Sequence, residues 1–174
     1  DIVPDIVVTA KIMGQGFPVS AVTFHKDVIA DVEGKISHFS SHQNDPFAAV
    51  TVSFVIDTIR VHNILGENVL KGEYLVDKLR DVSARYPLIR NPRCVGLMAA
   101  FDLPIDLVES THRSITRDLI NSLMMEGILI QAIRKGVTFR ILPSFSISME
   151  EIDFFVDGLE KAVRRVAQTY DLDY

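Results

Sequence analysis

Apolar residues fall into strand-like runs near the start of the chain and into helical spacing further on, and the elements follow from that change. Ile6-Val7-Val8 is an apolar run, and Ile6 to Ala10 reads as a short buried strand, ending at Lys11 just before the turn-rich Gly14-Gln15-Gly16-Phe17-Pro18. Val19 to Phe24 predicts a second strand. The stretch from Gly34 to Asp45 is too rich in Ser, His and Asn for packed core and reads as loop. Asp45-Pro46 is a good helix opening, because Asp accepts from free first-turn amides and Pro is pre-set for the first helical position. The helix it opens runs to about Val61. Its apolar residues, among them Phe47, Val50, Phe54 and Ile56, surround the axis, which predicts burial on most sides.

Glu67 to Tyr86 predicts an amphipathic helix with Leu75, Leu79 and Val82 on one side, closed by Pro87. Beyond it the pattern is strand (95–103), helix (112–126), strand (128–133), strand (137–142) and helix (149–168), an α+β unit. The last helix opens on a capping box, Ser148-Met149-Glu150-Glu151, and keeps Ile152, Phe155, Val156, Leu159, Val163 and Val166 at helical spacing. A boundary near residue 62 separates residues 1–62, too small to close a sheet without further strands, from residues 63–174.

Composition narrows the class. With 48% hydrophobic and 24% charged residues the chain has a globular balance. A formal net charge of −5 argues against a nucleic-acid partner, which would call for a basic face. No run approaches the roughly 18 to 20 apolar residues that span a bilayer, so no membrane partner is expected. The single cysteine, Cys94, excludes an internal disulfide, and a reducing, cytoplasmic setting is expected. The chain opens on Asp1 rather than Met, directly into an apolar run, which suggests a fragment. His25, His62 and His112 have no metal-ligand spacing, and no metal site is expected.

A lysine at the end of a buried strand and followed by a glycine turn is an unusual placement. Burial favours a neutral amine, the form that condenses with an aldehyde, although an edge lysine could equally snorkel outward. In Pro4-Asp5-Ile6-Val7-Val8-Thr9-Ala10-Lys11-Ile12-Met13-Gly14-Gln15-Gly16-Phe17-Pro18-Val19-Ser20-Ala21-Val22 the sequence resembles the block around the cofactor lysine of the class III, fold-type I pyridoxal-phosphate (PLP) enzymes. Lys11 falls on the lysine that binds the cofactor as an imine.

Two further blocks extend the resemblance in chain order. His38-Phe39-Ser40-Ser41-His42-Gln43-Asn44-Asp45-Pro46 is similar to the family segment in which a hydroxyl residue binds the cofactor phosphate of the neighbouring subunit. Ser41 falls on that position, with Ser40 beside it. Many aminotransferases read His-Gly-Ser-Thr-Tyr-Gly-Gly-Asn-Pro there; the hydroxyl pair, His and Asp-Pro here are closer to the dialkylglycine decarboxylases. A Ser hydroxyl suits a phosphate dianion, and helix capping is the competing reading of the segment. Gly136-Val137-Thr138-Phe139-Arg140-Ile141-Leu142-Pro143-Ser144 resembles the C-terminal arginine segment of the family, and Arg140 falls on the arginine that grips the substrate carboxylate. Leu142 and Ser144 depart from the usual Ala and Pro. The planar fork of Arg suits a carboxylate, and a structural ion pair is the alternative. Arg93-Cys94-Val95-Gly96-Leu97-Met98 is a weaker echo with a structural role.

The resemblance implies an α/β fold, with the C-terminal part of the fold-type I large domain followed by an α+β small domain. It implies PLP as cofactor and transamination between an amino acid or amine and a keto-acid acceptor. Decarboxylation-transamination of dialkylglycines, racemisation or epimerisation, and a non-catalytic subunit are the alternatives. The family's first phosphate loop, the aromatic residue on the ring and the acidic partner of the pyridine nitrogen lie upstream of its lysine. An N-terminal portion of the same enzyme, as a separate chain or not, is therefore an expected partner, within a homodimer or higher oligomer.

Overall fold

A computed structural model describes residues 2–172 apart from 31, 33, 36 and 38. Its contacts divide the chain into two units, Asp1–Ile64 and Leu65–Tyr174. In the first unit β1 (Ile6–Ala10) pairs antiparallel with β2 (Ser20–Phe24), from Ile6↔Phe24 to Ala10↔Ser20. A 3-10 turn, Lys11–Gly14, follows β1 directly. A short helix that the sequence pattern does not announce, α1 (Lys26–Ala30), comes next, and then α2 (Pro46–Val61). Asp45 caps α2, its Oδ1 accepting the Phe47 N–H at 2.8 Å, with Pro46 in the first turn.

The burial expected of β1 and α2 is not found. All five β1 residues are exposed, and Val55 is the sole buried residue of α2. Phe47 is 75% exposed, and Val50 and Phe54 are each 70% exposed. The physical reason is that two strands and one long helix supply no second layer to cover an apolar face.

The second unit opens with α3 (Ile64–Arg85), which starts three residues earlier than the periodicity predicts. One strand was expected over 95–103, but the segment is a hairpin of β3 (Arg90–Val95) and β4 (Met98–Asp102), turning at Gly96 with φ +56. β3 carries no apolar alternation because it is an exposed edge strand with Pro92 and two arginines in it, as edges tolerate. The chain continues through α4 (Ile105–Ser110), again unannounced, α5 (Ser114–Met125), β5 (Gln131–Ile133), β6 (Thr138–Ile141) and α6 (Met149–Thr169). The strands form one antiparallel sheet in the order β3-β4-β6-β5.

The register sorts the two faces of that sheet. Ala99↔Ile141 and Phe101↔Phe139 are buried pairs, and the two Phe rings stack with centroids 5.0 Å apart. Onto this face pack Leu75, Leu79 and Val82 of α3, Leu119 and Leu123 of α5, and Ile152, Leu159 and Val163 of α6, one contiguous core. The alternate positions, Ala100, Asp102 and Arg140, point the other way. There Asp102 accepts from Arg93, Asn91 and Thr138. Burial acts to raise its carboxyl, but these hydrogen bonds outweigh it and hold the group below the usual carboxylate value.

α3 lies so close to the β3–β4 turn that a Cβ on Gly72 would stand 1.9 Å from the Gly96 backbone oxygen. At the other end of the unit the predicted capping box is present: Ser148 accepts from Glu151 N–H at 3.1 Å, and Glu151 accepts from Ser148 N–H at 2.8 Å. Ser148→Ala is expected to cost about 1 kcal/mol, seen as a lower urea midpoint at unchanged m. Among the described residues no single helix is long and apolar enough to cross a membrane.

Candidate active site

The turn that carries Lys11 is built by close approach. Gly14 is buried, and a Cβ there would meet Val19 Cγ1 at 2.6 Å. Gln15 N–H donates to Ile12 O at 3.2 Å and Phe17 N–H to Gly14 O at 2.9 Å, so the chain folds back sharply after β1. α2 packs on this turn. At its first residue the backbone is strained: Lys11 has φ +58, a left-handed conformation that a residue with a Cβ rarely adopts. Such outliers concentrate at functional sites, where the surrounding structure over-determines them.

Lys11 is exposed, not buried as expected from the apolar run before it. The uncovered ribbon described above accounts for the difference. Its side chain has no carboxylate partner among the described residues. It borders an open depression of about 570 Å³ lined by residues 10–12 and 15–19. The arrangement presents an unpaired primary amine at the mouth of a concave surface.

Ser41 begins the turn 41–44 ahead of α2, and Ser40 precedes it; both are exposed. Gln43 N–H donates to Ser40 O at 3.0 Å, and Asn44 reverses the chain with φ +59. Neither serine hydroxyl has a protein partner among the described residues. Helix capping falls to Asp45 alone, which leaves both hydroxyls available to an anion.

Arg140 belongs to the second unit. It lies on the outward face of β6, and its Nη2 donates to Gln131 Oε1 at 2.7 Å. No carboxylate partners Arg140 among the described residues, so the alternative of a structural ion pair has no support within them. Beside it is a smaller apolar cavity of about 160 Å³, walled by Leu75, Ile130, Leu142, Pro143, Ile152 and Phe155 among others. A cation at the rim of an apolar recess suits an organic anion. Gln131 escaped the sequence reading because it is nine residues from Arg140, and strand pairing alone makes them neighbours. Burial pushes the Cys94 thiol up, opposed in part by a backbone hydrogen bond, which disfavours the reactive thiolate.

The model of the family described as aminotransferase class-III matches residues 1–163. The chain belongs to the class-III aminotransferases. It is 27% identical over 168 residues to the mitochondrial alanine–glyoxylate aminotransferase 2 of Homo sapiens, covering 94% of this chain and 32% of that protein. It is 36% identical over 103 residues to the ethanolamine-phosphate phospho-lyase homolog 1 of Caenorhabditis elegans, covering 59% of this chain and 22% of that protein. In fold it is similar to a transaminase from the marine bacterium Virgibacillus, with a TM-score of 0.87 at 19% identity over 97% of this chain and 41% of that one. A Bacillus anthracis aminotransferase gives 0.85 at 23% identity over 95% and 40%. The chain thus spans about a third to two-fifths of the length of the aminotransferases it matches.

Class-III aminotransferases depend on PLP, and the residues here fit that group. Lys11 offers a primary amine, the group that condenses with an aldehyde, and Ser40 and Ser41 offer neutral donors suited to a phosphate.

Proposed function

We propose that this chain is the cofactor-lysine portion of a PLP-dependent aminotransferase that moves an amino group from an amino acid or amine to a keto acid. The observation that carries the reading is Lys11: an unpaired amine among the described residues, on a strained residue, at the edge of a concave surface, at the position that the sequence resemblance assigns to the cofactor lysine. PLP, when bound, supplies the electron sink that makes a substrate Cα proton removable. Lys11 Nζ has two tasks, holding the cofactor at its aldehyde and, once displaced by substrate, carrying the Cα proton away and returning it. Ser41, with Ser40, donates to the phosphate, across a subunit boundary in a dimer. Arg140 takes the substrate carboxylate with its planar fork. The aminotransferases among the relatives support transamination over the decarboxylase and racemase readings.

The exposed apolar faces of β1 and α2 support a second element of the proposal. The remaining portion of the fold, in the same polypeptide or in another, covers them and brings the rest of the cofactor site. The assembled enzyme is at least a dimer and works in the cytoplasm.

Borohydride reduction of the complete enzyme with PLP, followed by peptide mapping, tests the reading. The expected result is a stable adduct on the peptide containing Lys11 together with loss of the visible absorbance. An adduct confined to other lysines, or no adduct, overturns it.

A further inference from the structure

We propose that Gln131 is a positioning residue that holds Arg140 ready for a carboxylate and biases the site toward carboxylate-bearing substrates. The proposal rests on the reading of Arg140 given above. The register places Arg140 between two cross-strand neighbours, Ala100 on β4 and Gln131 on β5. Ala100 is too short to restrain a guanidinium, so orientation on this face falls to Gln131. Its Oε1 accepts from Arg140 Nη2 at 2.7 Å. Because a guanidinium only donates, the carbonyl end of the amide must face it. The Gln131 NH2 group is thereby turned away as a further donor, and it has no protein acceptor among the described residues.

The choice of a neutral acceptor is the informative point. In the same unit Arg85 pairs with Glu160, Arg93 with Asp102 and Arg165 with Glu126. These arginines are held by carboxylates that neutralise them. Arg140 is held by an amide, which fixes the fork and, among the described residues, leaves its positive charge uncompensated for an incoming anion. A carboxylate at position 131 would hold the arginine equally well but would compete for the same donors.

The test uses the complete holoenzyme and compares an amino acid with its decarboxylated amine as amino donors. It is run on the parent protein, Gln131→Glu, Gln131→Ala, Arg140→Ala and the double variant Arg140→Ala/Gln131→Glu. Gln131→Glu is expected to raise the ratio of KM for the amino acid to KM for the amine on the order of tenfold, and Gln131→Ala by less, as for binding lost equally from ground and transition states. Arg140→Ala should raise that ratio at least as far, and Gln131→Glu should add nothing on top of it. A raised ratio in Arg140→Ala with no change in Gln131→Glu overturns the role of Gln131 and leaves Arg140 standing. An unchanged ratio in Arg140→Ala overturns the carboxylate reading of Arg140, and this proposal with it.

Discussion

Replacing Lys11 by Ala in the complete enzyme is expected to lower turnover by roughly 10³-fold or more, because in the proposed function one substitution removes both the attachment amine and the proton carrier. Lys11→Arg should be as severe, since a guanidinium stays protonated at neutral pH and cannot condense with an aldehyde. Lys26→Ala, on the adjacent α1, serves as the control that leaves turnover unchanged. The backbone adds an arm that separates chemistry from folding. With φ +58 at position 11, Lys11→Gly should relieve roughly 1 kcal/mol of left-handed strain while abolishing activity. A thermal midpoint that rises or holds as turnover collapses is the expected pair of readings. Full turnover in Lys11→Ala would end the aminotransferase assignment for this residue.

The second large effect is on stability. Gly72→Ala is expected to destabilise the second unit by about 3 kcal/mol, the upper range for overpacking. The added methyl would stand 1.9 Å from the Gly96 carbonyl oxygen, and backbone yields far less readily than a side chain. The gain in helix propensity from replacing Gly, about 1 kcal/mol, offsets only part of this. Gly158→Ala makes the contrast: its Cβ would press on Ile128 Cδ1 at 2.4 Å, the movable tip of a side chain. Urea midpoints should therefore fall much further for Gly72→Ala than for Gly158→Ala. Equal losses would show that the β3–β4 turn moves aside.

Where local rules and the final environment agree, the sequence was readable. α6 carries its own start signal in Ser148 and Glu151, and its apolar stripe meets the core it was written for. Asp45-Pro46 likewise places the start of α2. Reading failed where an element owes its existence to a neighbour. β3 is a strand because β4 pairs with it, although Arg90-Asn91-Pro92-Arg93 shows no strand pattern. The residue types at 11, 40, 41 and 140 suit the chemistry that the resemblance assigns to them. The strain at Lys11 and the Gln131–Arg140 pair are properties of dihedral angles and register, which no spacing in the sequence encodes. The burial predicted for β1 and α2 failed for the opposite reason: the apolar pattern is there, and the layer to satisfy it is not among the described residues.

The exposed β1 edge bears on how this chain behaves in solution. β1 pairs along one edge only among the described residues, and its Ile6, Val7 and Val8 are open to water. A strand of this kind is a template for whichever strand reaches it first, its proper complement or another copy of itself. Self-association through this edge is second order in the concentration of the chain, whereas cover supplied from within one polypeptide is first order. Dilution of this chain disfavours such pairing, and high concentration favours precipitates.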